Sequence, residues 1–177
     1  YFNQEVTSSA DTQGIKFRSY NSATATFAEE LGMIPVQIEA AELSQALATG
    51  VASAFISSGS TGYDRKVWEH LSHYYKVNAW LPRNYVMVNT QVWDALDADV
   101  QAGIQQAADE TAASCAAKSA ELAGFYFEEL EKNGMTVADA GPEFLAELET
   151  IGAKMTAEWL ETAGADGQAI LDAYNAN

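Results

Sequence analysis

The sequence predicts an α/β fold in which parallel βαβ units come first and long helices follow. Three observations carry this expectation. Between residues 14 and 57, short stretches with the period of a strand alternate with stretches of helical spacing. Gly32 and Gly50 each follow a helical stretch, at the position where a left-handed residue closes a helix cheaply. From Asp97 onward, apolar or small side chains recur every three or four residues as far as Leu130.

The elements follow in order. In residues 15–20, Ile15 and Phe17 alternate with Lys16, Arg18 and Tyr20, which predicts a strand with one face toward a core. Ser22 is a good N-cap for a helix over 23–31, since Ala25, Phe27, Ala28 and Leu31 have its spacing. Arg18 therefore sits on the polar face, near the carboxyl end of its strand, where ligands of parallel α/β sheets bind. Strands are expected over 35–38 and 51–57, with a helix over 40–48 between them. The short connections imply right-handed crossovers.

Residues 57–64, Ser-Ser-Gly-Ser-Thr-Gly-Tyr-Asp, form a hydroxyl-rich strand-to-helix turn. It reads either as an anion nest or as an N-cap and turn, and not as a phosphate loop, because no Gly-Lys-Ser/Thr ends it. Helix is expected over 66–71 and strands over 73–80 and 84–89, interrupted by Leu81-Pro82-Arg83. Thr90 is expected to cap a short helix containing Trp93, and Asp97 the longest helix, running to Lys132. A stripe through Val100, Ile104, Ala108, Thr111, Cys115, Ser119, Leu122, Tyr126 and Leu130 would lie buried, with Cys115 as a small core residue. Such a helix reaches roughly 50 Å at 1.5 Å per residue, long enough to link two lobes, and Gly124 is where it would bend. Residues 134–137 read as a short strand. Pro142 opens a helix with Phe144, Leu148, Ile151, Met155 and Trp159 on one face, Gly164 ends it, and a last helix spans 166–174.

Nine Lys and Arg stand against twenty-five Asp and Glu, a net charge of −16. Nucleic acid and anionic membrane surfaces, which call for basic patches, are thereby excluded as partners. A single small anion is not excluded, because one arginine in a poorly hydrated cleft outweighs distant, screened acids. Cys115 is the only cysteine, so neither an internal disulfide nor a cysteine-based metal cluster is expected. His70 and His73 have no matched nucleophile or metal partner, and Glu128, Glu129 and Glu131 read as a solvated helix face. No catalytic residue, metal site or cofactor is predicted. Arg18 is the candidate for chemistry, because its planar fork matches a carboxylate with two parallel hydrogen bonds.

Several runs carry a family resemblance: Asp-Xaa-Xaa-Gly-Ile-Lys-Phe-Arg at 11–18, Gly32-Xaa-Xaa-Pro35-Val36, and Glu42-Xaa-Xaa-Xaa-Ala46-Leu47-Xaa-Thr49-Gly50-Val51. Lys66-Val67-Trp68-Glu69 and Trp93-Asp94-Ala95-Leu96 continue it, followed by Gln101 and Ala107-Ala108. Together they resemble the DctP-like solute-binding proteins of TRAP transporters.

The resemblance implies a periplasmic binding protein-like (type II) lobe, then a long connecting helix and C-terminal helices of the other lobe. Residues 1–82 would be the distal lobe, residues 83–177 would complete the first lobe, and an N-terminal lobe would precede Tyr1. It further implies a periplasmic receptor that takes a small organic acid by hinge closure and passes it to the membrane permease. Arg18 would clamp the carboxylate, with Ser57, Ser58 and Ser60 on the third-strand loop and Asn78 at the crossing strand orienting the ligand.

The family's usual Asp-Gly after the glycine-valine is Ala52-Ser53 here, and the metal-binding glutamate of the sodium-assisted keto-acid type is absent. The resemblance thus points away from sialic-acid and keto-acid ligands. Ala79 replaces a common histidine, with Trp80 beside it as a flat apolar wall. Tyr20, Tyr63 and Trp80, together with the small Ala40, suit an aromatic or otherwise apolar carboxylate. Two other classes stay open: a helical module that homodimerises through its long stripe, and a fragment of an α/β enzyme acting on a carboxylate.

Overall fold

The computed structural model describes residues 1–81 and 84–176. Pro82 and Arg83, in the expected strand break and at the expected lobe boundary, lie outside the described residues.

The sheet is built around β1 (Lys16–Ser19), flanked in parallel by β2 (Ile34–Gln37) and β3 (Ala54–Phe55). Arg18 stands opposite Val36 on one side and Phe55 on the other. A second parallel pair joins β4 (His73–Lys76) to β5 (Thr136–Asp139). The extreme N-terminus, to which sequence reasoning gave no role, links the two. Phe2 exchanges hydrogen bonds of 3.0 Å with His73 and bridges antiparallel to Ala54, so the strands run β2, β1, β3, Phe2, β4, β5.

Two expected strands are shorter than their apolar runs. β3 is confined to Ala54–Phe55 because Val51 N and Ala52 N donate to Ala46 O and close the preceding helix, while Ser58 begins the next. β4 ends at Lys76 because Asn78 takes a left-handed φ of 49°, which breaks the extended path. The strand expected over 84–89 does not form. Among the described residues no strand pairs with it, and Tyr85, Val86 and Met87 are exposed, so its β propensity has no ladder to satisfy.

Helices α1 (Ser22–Glu30), α2 (Leu43–Ala48), α3 (Gly59–Asp64) and α4 (Thr90–Asp94) are short. The caps of α1 and α4 fall one residue before the predicted ones. Asn21 Oδ1 accepts from Thr24 N at 2.8 Å, and Asn89 Oδ1 accepts from Gln91 N at 2.9 Å. Asparagine caps as well as serine and better than threonine, so the earlier residue wins in both places. The predicted helix over 66–71 is a single 3₁₀ turn, Val67–Glu69, entered through a left-handed Lys66.

Two apolar cores lie on opposite faces of the sheet, as the alternation of neighbouring residues requires. Tyr1, Phe55, Leu43, Leu47, Val67 and Leu130 form one; Phe2, Phe17, Ala54, Ala28, Phe144 and Ile151 form the other. Gly59 lets α3 approach the long helix closely, since a Cβ there would lie 3.1 Å from Tyr126 Cβ and 3.2 Å from the Phe127 ring.

The long helix α5 (Ala98–Lys132) has 35 residues and continues through Gly124, where a bend was expected. Its predicted stripe is not buried. Only Leu130 is, while Val100, Ile104 and Cys115 are exposed, because no described element covers this face along the first two-thirds of the helix, where α4 meets only the Gln101 side chain through Trp93 O. Cys115 is thus not a core residue. α6 (Pro142–Asn175) is broken at Gly164, with φ 60° and ψ −141°, as its sequence predicts. Phe144 and Ile151 pack on the sheet, and Trp159 lies beyond it, 45% exposed.

Candidate ligand-binding site

Arg18 occupies the third position of the central strand, and both faces of that strand are covered. Its side chain is therefore buried, 6% exposed, rather than on a polar face. Nε donates to Ile38 O at 2.9 Å, and Cζ lies 4.8 Å from the centre of the Tyr20 ring, a cation–π contact. No carboxylate among the described residues pairs with it, and no fully buried side-chain nitrogen or oxygen there lacks a partner. Arg18 lines a cavity, and with Nε already used, its two terminal amino groups are the part left for an end-on carboxylate. Burial pushes the guanidinium pKa down, while Tyr20 and Glu39 push it back up. An arginine so placed keeps its charge.

The hydroxyl-rich turn resolves into a cap. Ser58 is the N-cap of α3, accepting weakly from Thr61 N, and its carbonyl takes a 2.7 Å bond from the Tyr1 hydroxyl. Ser57 Oγ donates to Thr61 Oγ1 at 2.8 Å, and Ser58 Oγ lies 2.8 Å from Ser60 Oγ. The hydroxyls bond first to one another, so the turn is not an open nest of donors.

Two cavities meet here. The smaller, about 220 Å³, is lined by Arg18, Ser57, Thr61, Asp64, Arg65 and Ala40, among others. The larger, about 680 Å³, falls in the range usual for small-molecule sites, ~300–1,000 Å³. Tyr20, Ser57, Ser58, Ser60, Asn78 and Trp80 line it. Five of the six predicted ligand-binding residues thus share one cavity. Arg18 lines the neighbouring one, and Ser57 belongs to both.

Tyr63 lies in neither lining. Its ring packs edge-on against Phe125, 5.4 Å between centres, and tilted against Tyr126 and Trp68, so it serves the α3–α5 contact. Sequence reasoning missed Tyr1, Tyr74, Tyr126 and Phe127, all of which line the larger cavity. The aromatic run 125–127, dense for a helix otherwise rich in alanine, was the available signal for the last two. Among the described residues no group of acidic, histidine or cysteine side chains is placed to hold a metal ion, and no helix is long and apolar enough to cross a membrane.

Comparison with known proteins bears on this arrangement. Residues 1–162 match the family model described as DctP, bacterial extracellular solute-binding protein, family 7. The C4-dicarboxylate-binding periplasmic protein DctP of Rhodobacter capsulatus is 31% identical over 161 residues, covering 90% of this chain and 45% of that protein. A TRAP solute-binding protein from a marine metagenome, specific for pyroglutamate and solved with co-purified pyroglutamate, is 75% identical at a TM-score of 0.96. The match covers all of this chain and 58% of that one. DctP6, a pyroglutamic acid-binding extracytoplasmic solute receptor of Bordetella pertussis, is 40% identical with the same TM-score, over all of this chain and 59% of its own. The chain therefore spans about half to three-fifths of the length of these relatives. With the family model matched over most of its length, this chain belongs to family 7 of the bacterial extracellular solute-binding proteins, the DctP family.

Proposed function

We propose that the full-length protein is the periplasmic receptor of a TRAP transporter, that it captures a small organic carboxylate, pyroglutamate foremost, and that it delivers this ligand to the membrane permease. The observation that carries the reading is Arg18, a buried guanidinium that lines a cavity and that no acid among the described residues pairs with. The 75% identity to a receptor specific for pyroglutamate supports the choice of ligand. In this reading residues 1–82 form the distal lobe and residues 83–177 lead back to the other, with β5 joined to the sheet of the first. Arg18 takes the carboxylate, Ser57, Ser58, Ser60 and Asn78 orient the rest, and Tyr20 and Trp80 wall off its apolar part. Binding and release are the whole task, with no bond made or broken in the ligand.

Titration calorimetry of the full-length receptor with pyroglutamate and with succinate tests this. Binding of pyroglutamate with one site per receptor is the expected result. Absence of heat with either acid, joined to an unshifted melting temperature, would remove the reading.

A further inference from the structure

We infer that Ser57 meets the ligand as a hydrogen-bond acceptor, with Thr61 as the residue that fixes this polarity. The site would then select carboxylates bearing a ring N–H beside the carboxylate over their ring-oxygen or keto counterparts. The inference rests on the receptor reading above and adds to it a rule of selection.

A serine hydroxyl has one proton to give and two lone pairs to receive with. Ser57 gives its proton to Thr61 Oγ1 at 2.8 Å, one turn ahead in the cap of α3. Both lone pairs then remain for whatever enters. Redirecting the proton toward a ligand would break a short, partly buried bond inside a network that also places Ser58 Oγ 3.3 Å from Thr61 Oγ1.

Position supplies the second step. Arg18 lines only the smaller cavity, whereas Ser57 lines both. A ligand whose carboxylate sits on the Arg18 fork turns its adjoining atoms toward the shared wall at Ser57. A ring N–H there completes a hydrogen bond. A ring oxygen or keto oxygen sets lone pair against lone pair, and an unmade bond at a partly dry site costs more than a made bond gains.

The test uses the full-length receptor and two probes: L-pyroglutamate, and 5-oxotetrahydrofuran-2-carboxylate, in which a ring oxygen replaces the N–H. Calorimetry should show the lactam binding about tenfold or more tighter in the wild type. Thr61→Val removes the acceptor and frees the Ser57 proton, so the preference should shrink to about threefold or less. Ser57→Ala should shrink it likewise, and Thr61→Ser, which keeps the oxygen, should restore it. Equal wild-type affinities, or a preference that persists in both Thr61→Val and Ser57→Ala, overturn the inference while leaving the receptor reading intact. Failure of both probes to bind the wild type removes pyroglutamate as the ligand, and this inference with it, and the receptor reading falls as well if succinate also fails to bind.

Discussion

Replacing Arg18 by methionine separates a ligand clamp from a structural arginine, because the two roles predict opposite signs. In the free protein the guanidinium is buried and makes one backbone bond, to Ile38 O; among the described residues no acid pairs with it, and Tyr20 and the charge of Glu39 offset only part of its desolvation. Removing it leaves that carbonyl without its donor, at about 1–3 kcal/mol. It also removes a desolvation penalty of a few kcal/mol, and methionine fills similar volume. The ligand-free protein should therefore be as stable as the wild type or slightly more so in urea unfolding.

Binding should behave otherwise. Truncating one partner of a buried, hydrogen-bonded charge pair costs ~2–5 kcal/mol, and a 4 kcal/mol loss is roughly a thousandfold in Kd. At a ligand concentration of 100 wild-type Kd, the wild type gains about 2.7 kcal/mol of stability. The variant, then at about a tenth of its own Kd, gains under about 0.1 kcal/mol. Urea melts of both full-length proteins with and without pyroglutamate provide the four numbers. A variant that keeps the ligand-induced gain refutes the clamp. One that loses more than about 3 kcal/mol without ligand shows that the arginine holds the sheet together instead.

Two further outcomes concern the scaffold. Gly59→Val should destabilise by about 1–3 kcal/mol in urea unfolding, since its Cβ would press on Tyr126 and Phe127, whereas Gly103→Ala, in open space on α5, should not destabilise. Asp11 accepts from Thr7 N, Thr7 Oγ1 and Ser8 N, which hold its carboxyl below the usual carboxylate range. Its stabilisation is thus present above the unfolded value of ~3.9 and lost as pH falls through the lower folded value. Asp11→Asn should flatten that acid limb of stability against pH, and an unchanged limb would assign it to other carboxylates.

The parts of the fold legible in the sequence were those decided by local chemistry. Gly32, with φ 71°, and Gly50, with φ 69°, close their helices as glycines should, and Pro142 and Gly164 bound theirs. The βαβ order followed from alternation and short connections. What escaped was decided by partners distant in sequence. Tyr1 and Phe2 carry no local pattern that assigns them a role, yet they fill the gap between β3 and β4 and put one aromatic ring into each core. Arg18 was placed on a polar face because alternation alone cannot tell that a strand is central and covered on both sides. Residue type alone brings the serines of the turn into view as candidates, but the direction of the Ser57 hydroxyl bond depends on Thr61 one helical turn away.

α5 shows most clearly where periodicity stops being informative. Its stripe predicted a helix correctly and burial incorrectly, and the two outcomes have different causes. The helix has local support: alanine-rich composition, Asp99 in its first turn and Lys132 in its last, and side-chain bonds one turn apart from Gln105 to Asp109, Gln106 to Glu110 and Lys118 to Glu121. Each such pair contributes only ~0.2–0.5 kcal/mol, yet 35 residues of high propensity spread the cost of nucleation over about ten turns. Burial needs a second surface, and among the described residues only the last turns of α5 find one, where Tyr126, Phe127 and Leu130 meet α3 and the sheet. A stripe of small and apolar residues therefore identifies which face of a helix can be covered, and leaves undecided whether a given stretch of chain provides the cover.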